Sequence, residues 1–459
     1  MDSNQGQIND WYRENLDWIV SGLQKLLQFP TIYDDTSIQD QAPYGMAIHD
    51  CLRWLETFAK QRGLATQWGD GYYLTVSLPA NAKTNSKKRI DGVGHIDVVS
   101  VDNQWHYPPF GAQIDQGKIY ARGSQDMKTQ VWLMLVSLIF IKDLPVSRFN
   151  DLQVVIGTDE ERTMQDMVYY VEQEGLPDFM FTPDSSFPIC LGEFGDATFT
   201  VKGCYHSSMI EFMSTSNSEN IVCDHVEIGL TPEGYQRVKS IMPDLDHHFQ
   251  LKDHLLIVSG KAAHSSKVDL GDNALTRSFA FLTNHLDQTW AEPYYQALAD
   301  PHGTGLGLEP YYSPMGAVCL NPSQIQLSAD YFELVIDIRY PDPLTREELQ
   351  ERLESHLQPE NISCHFDMPV TQVSLENDYV QALLEVCQRN LPNLKRQPFY
   401  SAGLTYCKVF QERGVAFGTH FDESGMANLA HQRDEYMTLD LISLLGQILT
   451  EAYLALATI

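Results

Sequence analysis

Imidazole and carboxylate side chains recur along this chain at the ends of short apolar runs, from His95 and Asp97 in GHIDVV to His431 in AHQRDEY. Between them stand Asp126 in ARGSQDMK, Glu160 and Glu161 in GTDEER, and Asp184 in FTPDSSFP. These groups act together only if the polypeptide returns near its end to the domain in which it began. The first and last segments are therefore expected to form one discontinuous domain. Histidine nitrogen and carboxylate oxygen hold zinc-like divalent cations while leaving positions open for water and substrate, so hydrolysis is the leading chemistry.

The local pattern supports a sheet with helices on it. Segments 72–78, 90–94 and 152–157 read as strands and 131–141 as a buried helix, the alternation of an α/β fold. His95 follows 90–94, the glutamate pair follows 152–157, and Asp184 follows the apolar run 179–182. The carboxyl ends of strands are where open α/β sheets build their sites. An amphipathic helix is expected over 16–27, closed before Pro30. After Pro188 extended runs appear at 197–201, 255–258 and 331–338, with a helix over 344–357. Helices at 379–387 and 439–456 follow. The expected architecture is a three-layer αβα catalytic domain with a mixed sheet, formed by residues 1–188 and 374–459. An α+β lid domain, residues 189–373, is inserted into it.

Size and charge narrow the partners. A chain of 459 residues exceeds the usual single-domain range. With 31 Lys and Arg against 61 Asp and Glu, the formal charge of −30 repels nucleic-acid phosphates and anionic lipid. Neither nucleic acid nor membrane is expected as a partner. The start, MDSNQGQINDWYREN, lacks the basic and apolar regions of a secretory signal, and the apolar stretch 131–141 is too short to span a bilayer. A cytoplasmic location follows as the expectation. Eight cysteines without CxxC spacing argue against a zinc knuckle or a disulfide scaffold.

Each candidate has a plainer reading when taken alone. His95-x-Asp97 is more often a structural hydrogen bond than a ligand, and adjacent glutamates are more often a solvated acidic pair. Residues two apart on a strand share a face, so Asp97 is expected to orient the His95 ring. At a strand end, two neighbouring carboxylates can divide the work, one binding metal and the other accepting a proton from water. Asp126 lies in a polar turn before a helix, where its carboxylate can also bridge two ions. His264, in SGKAAHSS, is flanked by small residues that let a substrate approach.

In order, the motifs APYG, WHYPPF, RGSQDMK, GTDEE, TPDSSFP, GKAAH, GDNA, DIRYP, AGLTY and AHQRDEY resemble the two-metal exopeptidase and deacylase family. That family includes aminoacylases, carboxypeptidase G, acetylornithine deacetylase and succinyl-diaminopimelate desuccinylase, and the chain looks most like its PepV-type dipeptidases. The resemblance implies one ion held by His95, Asp126 and Asp184 and another by Asp126, Glu161 and His431, with Asp126 bridging. It implies Glu160 as general base, Asp97 as the residue orienting His95, and His264 as the oxyanion partner. Asn220 and Arg339 would hold the substrate carboxylate. Zinc is the first expectation for both ions, with manganese and cobalt as alternatives, and a monomer acting on small peptides is expected. The sequence departs from the family pattern at Thr129, Arg162, Cys223, Val268, Leu404 and Lys408. Arg162 is expected to lower the proton affinity of the glutamates. An N-acyl amino acid deacylase using the same ions is the nearest alternative, and a noncatalytic binding protein on the same fold is a more distant one.

Overall fold

Strand Arg89–His95 is buried along nearly its whole length and therefore needs cover on both faces. The computed structural model describes residues 2–84, 87–308, 313–327 and 330–459, with side chains from residue 5 onward. In it this strand lies between two parallel partners, Asp151–Gly157 and Phe179–Thr182. Tyr73–Leu78 joins the outer side of Asp151–Gly157 in the antiparallel sense, and Gly414–Ala416 joins Phe179–Thr182 in parallel. The sheet is therefore mixed, and a strand from the C-terminal segment completes it.

Alternation along Arg89–His95 sends successive side chains to opposite faces. On one face Asp91 accepts a hydrogen bond from the Tyr170 hydroxyl of helix Gln165–Glu174 at 2.7 Å. On the other, Gly92 and Gly94 leave room for Met134 and Val131 of helix Lys128–Asp143 and for Tyr453 of helix Leu439–Leu456. Helices thus cover both faces, giving the three-layer arrangement. Lys128–Asp143 has no polar stripe because it is buried from Lys128 to Ile141. Leu439–Leu456 is long and apolar enough to cross a membrane by length and composition, yet 61% of it is buried within the protein. Trp132 of the first of these helices stacks on Trp54 and meets Phe58, with ring centroids at 5.9 and 4.7 Å, which ties helix Met46–Gln61 to the same face.

The chain divides into two compact units. The first comprises residues 1–192, 372–399 and 405–459, and the second residues 193–371 and 400–404. The second unit has its own eight-stranded antiparallel sheet, whose longest strands, Gly195–Cys204 and Tyr331–Tyr340, are paired over their full length. Helices Ala274–Leu286, Glu292–Leu298 and Arg346–Leu357 supply Phe279, Leu282, Leu298 and Leu353 to a core that belongs to this unit. Segment 400–404 was expected with the first unit. It groups with the second, where Ala402 packs on Val222, Val268 and Cys319.

A Cβ at Gly92 would fall inside the Tyr453 hydroxyl and 2.8 Å from the Met134 sulfur. Gly92→Ala is expected to destabilise the protein by about 1–3 kcal/mol, the usual cost of overpacking a rigid core. A chemical denaturation midpoint equal to that of the wild type would contradict this account of helix packing.

Candidate metal centre

Every proposed ligand lies in the first unit; His95 closes a strand, Glu161 and Asp184 follow strand ends, Asp126 lies in the turn before helix Lys128–Asp143, and His431 sits in a loop. His95 closes strand Arg89–His95 and is fully buried. Its Nε2 lies 3.1 Å from Asp126 Oδ1, 3.6 Å from Asp184 Oδ2 and 3.8 Å from Glu160 Oε2. The other oxygen of Asp126, Oδ2, lies 3.1 Å from His431 Nε2, which is also 3.0 Å from Glu161 Oε2. One carboxylate therefore faces an imidazole on each side. Donor atoms of His95, Glu160 and Asp184 lie within 4.8 Å of one another, as do those of His95, Asp126 and Glu161. Distance alone does not separate Glu160 from the ligands. A polar cavity of about 240 Å³ opens beside Asp126 and Asp184, lined further by Gln130, Ser185, His420 and Asn428.

The electrostatics fit cations. Burial pushes the Glu160 carboxyl well up, with Asp184 and Glu161 adding repulsion; burial pushes Glu161 up to about 7, and Asp184 also rises. Asp126 goes the other way: burial opposes its charge, but hydrogen bonds from His431 and His95 hold it well below the usual carboxylate range. Asp126 and Glu161 push His431 up to about 11. These crowded carboxylates demand positive charge, and a pair of divalent ions would meet that demand with the donor set present.

Two supports hold the glutamate turn. Asp97 accepts from the backbone N–H groups of Glu160, at 3.3 Å, and Glu161, at 3.1 Å. From the other side Asp166 accepts from the N–H groups of Thr158, at 2.5 Å, and Asp159, at 3.0 Å, and from the Tyr406 hydroxyl. The strand ends at His95, so Asp97 does not share a strand face with it. The backbone carbonyl of Asp97 lies 3.0 Å from His95 Nδ1, while its carboxylate, 3.4 Å from the ring, serves mainly the glutamate turn. Arg162 also differs from expectation. Its guanidinium lies over the Tyr33 ring at 3.3 Å and 3.5 Å from Asp159, and the glutamates are shifted up rather than down.

His264, Asn220 and Arg339 belong to the second unit. The Ser265 N–H donates to the Asn220 carbonyl at 2.9 Å, and Ile221 forms a β-bridge with His264, so Asn220 and His264 sit side by side. His264 Nδ1 accepts from the Ser266 N–H at 3.2 Å, which leaves the proton of the neutral ring on Nε2. Arg339 is buried in strand Tyr331–Tyr340, 2.9 Å from Asp196 and 3.2 Å from Asp337, so two carboxylates already share its charge.

A model of peptidase family M20/M25/M40 matches residues 93–455, a span that includes all five proposed ligands and Glu160. The chain belongs to this family. A beta-Ala-Xaa dipeptidase of Lactobacillus delbrueckii subsp. lactis is 27% identical, with 95% of each chain covered. Among solved structures, human carnosine dipeptidase 1 aligns with a TM-score of 0.57 at 12% identity, covering 99% of this chain and 100% of that one. A Bacillus subtilis protein described as a dinuclear metal binding peptidase of the M20 family aligns with a TM-score of 0.55 at 9% identity, covering 97% and 100%. As an M20 peptidase the protein is a hydrolase.

Glu435, Arg122, Asp166 and Tyr406 have no role in what the sequence leads one to expect, although Glu435, Arg122 and Tyr406 lie inside AHQRDEY, RGSQDMK and AGLTY. A signal was available in the run Arg433-Asp434-Glu435 after His431, where three consecutive charges each find a separate partner. Asp166 had no comparable signal.

An imidazole must be neutral to ligate a cation, and Asp126 and Glu161 raise the proton affinity of His431 well above that of an ordinary imidazole. Cation uptake at pH 7 is therefore expected to release on the order of one proton or more per chain, and affinity should weaken as pH falls. Zinc titration of chelator-treated protein with a pH indicator measures this. Binding without proton release would contradict the arrangement.

Proposed function

We propose that this M20 peptidase hydrolyses dipeptides with a free amino terminus, using two divalent cations held by His95, Asp126 and Asp184 and by Asp126, Glu161 and His431. The observation that carries the reading is the carboxylate of Asp126, which presents one oxygen to each of two imidazoles. When bound, the cations supply Lewis-acid charge that acidifies water and polarises the scissile carbonyl. Zinc is the first candidate, with manganese and cobalt compatible with the same donors.

The chain's own residues do the rest. Asp97 fixes the His95 ring through its carbonyl and the glutamate turn through its carboxylate. Glu160 takes a proton from the attacking water as oxygen bonds to the carbonyl carbon, and then delivers it to the amine as the C–N bond breaks. His264, with its proton on Nε2, is assigned to the developing oxyanion. Asn220 and Arg339 are assigned to the substrate carboxylate. The cavity beside Asp126 and Asp184, at about 240 Å³, falls just below the usual range of small-molecule pockets, in keeping with a small substrate. The same reading takes the protein as a cytoplasmic monomer that supplies His264 from its own chain, supported by a second unit large enough to hold its own core.

A panel of dipeptides against N-acetyl and N-succinyl amino acids, run after chelation and readdition of each metal, tests the assignment. Cleavage of dipeptides that is lost on chelation and restored by metal is expected; cleavage of the acylated compounds alone would reject it in favour of a deacylase. Glu160→Ala is expected to keep both ions and lose about 10²–10⁴-fold in kcat. Wild-type turnover in that variant would remove the proposed base.

A further inference from the structure

The segment that carries His431 is not placed by the sheet. His431 itself has a left-handed φ of 63° and sits in a loop, and the three charged residues after Gln432 each fasten that loop to a different point. Arg433 pairs with Asp102 at 2.7 Å, and Asp434 accepts from the N–H groups of His106, at 2.9 Å, and Tyr107, at 3.2 Å. Glu435 differs from both in being completely buried. Its Oε1 accepts from the backbone N–H groups of Gln125, at 2.6 Å, and Asp126, at 3.3 Å, and its Oε2 pairs with Arg122 at 2.7 Å. Arg122, also buried, donates to the carbonyls of Gln432, at 3.1 Å, and His431, at 3.3 Å.

Glu435 and Arg122 therefore form a closed clasp. The carboxylate grips the turn that presents Asp126, and the guanidinium grips the loop that presents His431. An apolar pair could fill the space but could not accept two N–H groups and donate to two carbonyls. Removing one partner would leave a buried charge uncompensated.

We infer that Glu435 is a positioning residue that sets the spacing of Asp126 from His431 and thereby selectively governs the cation site on the His431 side. The asymmetry follows from the connections. Two of the three donors on that side, Asp126 and His431, hang from the clasp. On the other side His95 ends a central strand, Asp184 follows strand Phe179–Thr182, and only Asp126 depends on Glu435. The inference rests on the two-cation reading above.

Metal titration of the full chain after chelation, by calorimetry and by metal content of the reloaded protein, tests it. Wild type is expected to bind two zinc ions. Glu435→Gln, which keeps the shape but loses the charge, should bind the first with little change and the second about 10–100-fold more weakly, the range typical for partners that orient metal ligands. Its kcat should recover at high free zinc, a rescue that a general folding defect would not show. Arg122→Lys keeps the charge but loses the fork, and should shift the second ion in the same direction by less; it serves if the glutamate variant does not fold. Wild-type affinity for both ions in either folded variant, or equal weakening of both, would overturn the assignment. Failure of the wild type to bind two ions would instead bring down the two-cation reading and this inference with it.

Discussion

The structure turns on negative charge gathered where water is scarce. Asp97, Asp126, Glu160, Glu161 and Asp184 crowd two imidazoles, and burial opposes ionisation of Asp126, Glu160, Glu161 and Asp184. A protein can hold such a group only by protonating it or by supplying cations, and the opposite shifts of Asp126 and Glu161 show the strain divided within the cluster. Both imidazoles point their Nε2 atoms inward at Asp126, so the positive charge the cluster needs is focused on one bridging carboxylate. Hydrolysis by a peptidase of the M20 family follows naturally from that focus.

Much of the surrounding architecture holds this arrangement still. Parallel strands deliver His95, the glutamate turn and Asp184 to one edge of the sheet, and Asp97 and Asp166 hold the glutamate turn from opposite sides. The C-terminal segment contributes a strand to the same domain, its loop then brings His431 back to Asp126, and the long buried helix follows. Sequence separation is overcome by hydrogen bonds to backbone groups rather than by side-chain packing alone. This suits a site whose donor atoms must be placed to a few tenths of an ångström.

The strands beneath the site are legible in sequence because their apolar runs are short and lead directly to the proposed ligands. Phe179–Thr182 has the expected limits, and Tyr73–Leu78, Arg89–His95 and Asp151–Gly157 differ from expectation by a residue at an end, whereas Ala65–Gly69, Cys190–Glu193, Phe399–Ser401 and Gly414–Ala416 are strands that the sequence pattern does not announce. Helix Asp2–Glu14 is not legible, since its composition is polar and its stability comes from packing. Helix Met46–Gln61 was also passed over, although Cys51, Leu52 and Leu55 make a buried stripe. The ligand residues could be named from their motifs, but the second use of Asp97 could not. It depends on the strand stopping at His95, which puts the Asp97 carbonyl on the ring and its carboxylate on the glutamate turn. Glu435 escaped notice for a related reason: a glutamate in a run of charges reads as solvated, and only the fold reveals that it is wholly enclosed. Arg162 reads in sequence as a neighbour of the glutamates, whereas its long side chain turns to Tyr33.

The central claim is that residues distant in the chain meet around a pair of cations shared by Asp126. Anomalous diffraction at the zinc edge from crystals of the zinc-loaded protein tests it most directly. The account predicts two peaks flanking the Asp126 carboxylate, one toward His95 and Asp184 and one toward Glu161 and His431. A single peak, or peaks that do not share Asp126, would contradict it.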